Sequence, residues 1–232
     1  MIALVGMRIA GFVRSGRALA PIILGLVVLS VIYGGGASLA GPAFGYSAAM
    51  LFPVLAWQTK LVLDAEPDVQ RRLARLSVGP RREAAAGVLA AAALGLVFCC
   101  VAMLTPWPFS AIRGPRLGTD EPAMAAGVLL GALAHLLALA AALGLGALAS
   151  RAITRTVRNG LTVLVAGAVL AVVLGLKGSI APWLVPPVMA TARALAASPV
   201  PSGGTFLLLT AWAVAWCAVV LGGYGWLRQR RS

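Results

Sequence analysis

The side chains able to carry chemistry are few, and their placement limits what they can do. The chain holds one histidine, His135, in the middle of a long apolar run. Its six acidic residues, Asp64, Glu66, Asp68, Glu83, Asp120 and Glu121, all stand in or beside polar connections. A metal site or a Ser-His-Asp arrangement therefore lacks members. Cys99 and Cys100 are adjacent in one apolar run and Cys217 lies in another. That spacing fits neither a metal site nor a disulfide framework, and all three read as buried small apolar residues. No G-x-x-x-x-G-K-S/T phosphate loop is present, so the chain does not hold ATP in that way. An ionisable residue inside an apolar run is a candidate functional residue. For His135 two readings stand: an imidazole hydrogen-bonded to a neighbouring helix, or a contact on a substrate path. With no carboxylate inside any apolar run, a proton or sodium relay lacks partners. The expectation is a chain that is not itself an enzyme and binds no cofactor or metal.

The elements that must position these residues are membrane helices. Of 232 residues, 61% are hydrophobic and 11% charged, whereas a soluble domain is roughly 45–50% apolar. Runs of about 20 apolar residues recur, the length needed to cross roughly 30 Å of hydrocarbon. Hydropathy places six transmembrane helices at Pro21–Ala40, Gly45–Leu63, Ala84–Leu104, Ala123–Ala149, Leu161–Leu176 and Thr205–Leu227. The fold class expected is an all-α polytopic membrane protein, one transmembrane domain over residues 1–232. A net charge of +13 fits either nucleic acid or membrane topology, and the distribution decides for topology. With the N-terminus inside, only Arg113, Arg116, Lys177 and Arg193 of the 19 basic residues fall on the outer side. The positive-inside rule selects that orientation, with both termini cytoplasmic. A secretory signal ending near Ser38-Leu39-Ala40 is the competing reading of the start, but its apolar run of about 20 residues exceeds the usual 7–15.

Residues 1–19 place Ile2, Val5, Ile9, Phe12 and Val13 within roughly a 100° arc and Arg8, Arg14 and Arg17 outside it. This reads as an amphipathic helix in the membrane surface, its arginines meeting anionic lipid. Between the second and third spans, residues 66–79 read as a short cytoplasmic helix. Pro67 suits its first position, Glu66 and Asp68 complement the helix dipole, and Gly79-Pro80 stops it. Val69, Leu73 and Leu76 form a narrow apolar stripe flanked by Arg71, Arg72 and Arg75. Such a stripe needs something to pack on: headgroups, the protein's own spans, or a partner. Residues 177–204 hold Pro182, Pro186, Pro187, Pro199 and Pro201, too many for one span, yet the segment is too apolar for a solvated loop. A re-entrant or interfacial hairpin is expected, with Trp183 at the outer interface. Gly127, Gly131, Ala134, Ala138, Ala142 and Gly146, with Gly167 and Ala171, allow close helix approach.

This layout, with a surface helix, six spans, a cytoplasmic helix between spans two and three and a Pro-containing segment before span six, resembles the permease subunit of a type-2 ABC exporter. The local match runs from Val69 to Gly87, where a leucine-bearing cytoplasmic helix enters a Gly/Pro/Arg turn and then the third span. The resemblance implies two facing permease subunits, identical or not, each joined to a separate ATPase subunit that binds ATP and Mg. Val69, Leu73 and Leu76 would dock in a groove of that ATPase, Arg71, Arg72 and Arg75 would pair with acidic groups at its rim, and 150–159 would form a second contact. The chain departs from larger family members in its modest outer loop, Thr105–Pro122. Export of a hydrophobic or amphipathic substrate, a peptide, lipid or drug-like natural product, would follow. The setting implied is a bacterial cytoplasmic membrane, to which the richness in Ala, Gly and Arg adds a compositional association. A membrane-embedded recruitment or immunity protein that transports nothing is the alternative, and an ion-coupled secondary transporter is a third.

Overall fold

Small residues decide which helices come closest. In the computed structural model, which describes residues 1–116, 118–119 and 121–230 but not the side chain of Asp68, the chain is built almost wholly of helices. They are α1 (Ile2–Arg14), α2 (Leu19–Tyr33), α3 (Ala40–Asp64), α4 (Asp68–Val78), α5 (Pro80–Leu104), α6 (Met124–Leu148), α7 (Arg151–Thr154), α8 (Val157–Val173), α9 (Val188–Ala196) and α10 (Gly203–Arg230). Asp120, Arg231 and the Asp68 carboxylate expected at a helix N-terminus lie outside what is described.

The glycines of α6 let it lie directly on α3. A Cβ at Gly127 would come within 2.8 Å of the Gly41 backbone, at Gly131 within 2.5 Å of Phe44, and at Gly146 within 2.5 Å of Thr59 and the Ala56 carbonyl. Leu51, Phe52, Leu55, Ala138 and Ala142 fill the shared core, so the α6 stripe of small residues serves packing within the chain. On the other flank α9 lies on α3 at Gly41 and Gly45, where Leu195 and Ala192 approach in the same way.

Among the described residues three helices are long and apolar enough to cross a membrane: α5, α6 continued through α7, and α10. The bent pair α1 and α2, meeting at 77°, makes a fourth if it is taken as one span. Of the other spans expected, α3 is as long as α5 but lacks a sufficiently apolar stretch, with Gln58, Thr59 and Lys60 in its C-terminal half, and α8 is shorter. The first span expected to reach Ala40 ends at Tyr33, because Gly34, Gly35 and Gly36 follow. The chain then makes a two-residue parallel pairing, β1 (Ser38–Leu39) with β2 (Ile112–Arg113), and α3 starts at Ala40, ahead of the expected Gly45.

The Pro-rich segment is ordered. A 3-10 turn at Pro182–Leu184 precedes α9, and the Trp216 indole N–H donates to the Leu184 carbonyl at 3.0 Å. Trp216 stands midway along α10, about 20 Å from its first residue at 1.5 Å per residue. The segment thus reaches back along the bundle to half the length of α10. Trp183 is exposed, and Arg193 donates to the Gly175 carbonyl just beyond α8.

Candidate functional site

The Val69, Leu73 and Leu76 stripe falls on α4, preceded by Pro67 and closed by Gly79, whose φ of +84° lets the chain turn straight into α5 with Pro80 at its first position. All three side chains are exposed, at 69%, 60% and 85%. None packs on the spans of its own chain, which removes one of the three occupants considered for the stripe. The opposite face, centred on Ala74, is buried.

The arginines divide differently from the expectation. Arg72 is exposed, with Arg81 and Arg82 just beyond it. Arg71 is buried and donates to the Leu63 and Glu66 carbonyls at 3.2 and 3.3 Å, holding α4 against the end of α3. Arg75 donates through Nε to Glu83 at 3.4 Å. Arg71 and Arg75, expected to reach a partner, therefore turn inward because the carboxylate and carbonyls of this chain lie within their span.

Glu83 is the centre of that inner face. Its side chain is wholly buried and meets three guanidinium groups: Arg8 from α1, Arg75 from α4 and Arg228 from α10. Arg8 also donates to the Glu83 carbonyl at 3.0 Å and pairs with Glu66, while Arg228 donates to the Tyr224 hydroxyl. Arg8 was expected among the lipid headgroups. It is buried because the surface of α1 turned toward the protein carries Phe12, Val5 and Ile9 together with Arg8, while Ile2 and Val13 are exposed. A second knot sits beside it. Asp64 at the end of α3 accepts from Lys60 at 2.7 Å and from the Arg151 backbone N–H at 2.8 Å, joining α3 to α7.

In low-dielectric surroundings a buried charge must be paired, and these contacts gather one end of α1, α3, α4, α5, α7 and α10 into one unit. Sequence reading placed Glu66 and Glu83 in or near connections, Arg8 on the surface helix and Arg228 after the last span, without joining them. The signal was their scarcity: four of the six acidic residues fall within 64–83, the stretch that also holds five arginines.

His135 is 1% exposed at the interface of α6 and α3. Its Nδ1 donates to the Gly131 carbonyl at 2.8 Å, which leaves Nε2 to accept from the Ser47 hydroxyl at 3.2 Å when the ring is neutral, and Phe44 meets it edge-on. At the opposite end of the bundle, Glu121 accepts both guanidinium nitrogens of Arg113 at 2.8 Å and the Arg116 backbone N–H. The Arg113 hydrogen bonds, reinforced by the Arg116 N–H, hold the Glu121 carboxyl down to about 2. Among the described residues no group of three His, Cys, Asp or Glu side chains is placed to hold a metal ion.

Comparison with family models, with curated proteins and with solved structures yields no match.

Proposed function

We propose that this chain is the membrane-spanning permease subunit of an ATP-driven exporter, paired with a second permease subunit and joined to separate ATPase subunits. The single observation that carries the reading is α4. It presents the apolar stripe Val69, Leu73 and Leu76 to the outside while Arg71, Arg75 and Ala74 fasten its other face. An apolar stripe held rigidly at a molecular end and flanked by exposed Arg72, Arg81 and Arg82 suits a groove with an acidic rim on a partner protein.

The buried charges give that contact a mechanical consequence. Movement of α4 pulls on Glu83 through Arg75, and Glu83 is bonded to α1 and α10. A displacement imposed by ATPase closure thus passes to helices of the bundle as rigid-body motion. In this reading α2, α3, α5, α6, α8 and α10 cross the membrane, the ionic cluster marks the cytoplasmic end, and the segment before α10 re-enters from outside. The lack of charge along the middle of the helices suits a hydrophobic or amphipathic substrate. ATP and Mg stay on the partner.

The test is Leu73→Asp, with Val69→Asp and Leu76→Asp. All three positions are exposed, so membrane insertion and thermal stability should hold. Copurification of an ATPase from native membranes, and stimulation of its hydrolysis by substrate, should be lost. An ATPase that stays bound and stimulated refutes the assignment. A different protein captured through the same stripe makes the chain a recruitment protein.

A further inference from the structure

Gln58, on α3, is 5% exposed, yet its amide meets no hydrogen-bond partner among the described residues. An amide with no partner inside the protein is available to a ligand that can hydrogen-bond to it. The side chain faces a cavity of about 410 Å³ between α1, α2, α3 and α5, and among the described residues it is the only polar side chain in a wall that includes Phe12, Leu19, Ile22, Leu94 and Val97. That is within the range of about 300–1,000 Å³ for small-molecule sites, and one fixed polar group in an apolar pocket is their usual chemistry.

The cavity follows from the chain path. Between α1 and α2 the turn at Gly16, φ +71°, sets the two helices at 77°. Further along, α2 closes on α5 at Gly25, where a Cβ would lie 2.1 Å from the Phe98 ring. Between the elbow and that crossing the helices diverge and leave a wedge. Its outer wall is exposed, Leu19 at 60%, Ile22 at 39% and Val97 at 62%, so it opens sideways into the bilayer if the helices span. Exposed Arg14 and Arg17 flank the elbow, and Arg17 donates to the Asp64 carbonyl at 3.4 Å. Gln58 lies about 9 Å further into the bundle at helical rise.

We propose that this wedge is a binding site for an anionic glycerolipid: one acyl chain in the cavity, an ester carbonyl accepting from the Gln58 side-chain N–H, and the headgroup beside Arg14 and Arg17. The proposal rests on the chain spanning a membrane, and it does not depend on an ATPase partner.

The test uses the full chain in phosphatidylcholine nanodiscs doped with phosphatidylglycerol bearing a diazirine on one acyl chain, irradiated and mapped by mass spectrometry. Adducts should concentrate at residues 19–26 and 94–101, above those at the outward-facing Val169 and Leu208. Val97→Trp, filling the wedge from its exposed wall, should lower the adducts at Ile22 and Leu94 about fivefold or more. Gln58→Leu should lower them about threefold to tenfold, the loss of one hydrogen bond. Both variants should leave Val169 and Leu208 labelled as before, which reports an intact bundle. Adducts spread evenly over all outward faces, or unchanged in Val97→Trp, overturn the site. Equal labelling by diazirine-phosphatidylcholine overturns the anionic headgroup. Absence of a copurifying ATPase would sink the permease assignment and leave these expectations as they stand.

Discussion

Replacing Glu83 with glutamine tests the ionic cluster at its centre. The change keeps the shape of the side chain and removes one charge from a position with no solvent exposure. Its three partners are affected unequally. Arg8 retains Glu66, and Arg75, with a quarter of its side chain exposed, can turn toward solvent. Arg228 is 9% exposed and has no other carboxylate among the described residues. Breaking a buried pair by removing one partner costs about 3–5 kcal/mol, and with the loss falling on one fully dependent arginine the lower figure applies. At about 2–4 °C per kcal/mol for a chain of this size, Glu83→Gln should lower the unfolding midpoint in detergent by about 6–12 °C. The assay is thermal unfolding followed by circular dichroism at neutral pH, with exposed Arg72→Gln as a control that should shift little. Glu83→Gln with Arg228→Met removes the orphaned charge as well, and should recover at least half of the loss. A single variant within about 2 °C of the parent, or a double variant as unstable as the sum of its parts, refutes the pairing.

Other outcomes follow from the same contacts. Gly146→Val drives methyl groups into Thr59 and the Ala56 carbonyl and should cost about 1–3 kcal/mol by overpacking, read by the same unfolding assay, whereas Gly222→Val, with open space around it, should not. His135→Leu removes both ring hydrogen bonds and should destabilise by about 1–3 kcal/mol; a variant of unchanged stability with altered transport would instead assign His135 to the substrate path. Glu121, held down to about 2 by Arg113, should show a carboxyl carbon resonance that titrates well below the ordinary 4.5. Because its folded value is depressed, its contribution to the loop between α5 and α6 is complete above the ordinary value and is lost as pH falls toward 2. Titration near 4.5 would mean the clamp is open in solution.

Periodicity and hydropathy were enough to read helices as the building material, because burial and membrane insertion both select side chains by type along a short window. They located α4 with its stripe within a few residues, since Pro67, Gly79 and Pro80 act locally through backbone dihedrals. They also anticipated that the α6 glycines serve close packing. Boundaries were less legible where a glycine run cut α2 short and where α3 began early. Only the tertiary structure decided which charges face whom. Arg8 read as outward because it falls off the apolar arc of its helix, and Arg71 and Arg75 because they stand in a polar stretch, yet their carboxylate and carbonyl partners are brought to them by other elements, up to 75 residues away in the case of Arg8 and Glu83. Glu83 stands just before one apolar run and Gln58 inside another, and neither position shows its surroundings in sequence. One is enclosed by three guanidinium groups and the other faces a cavity without a partner, because pairing and vacancy arise where helices meet or diverge in space, and no local pattern along the chain encodes that distance.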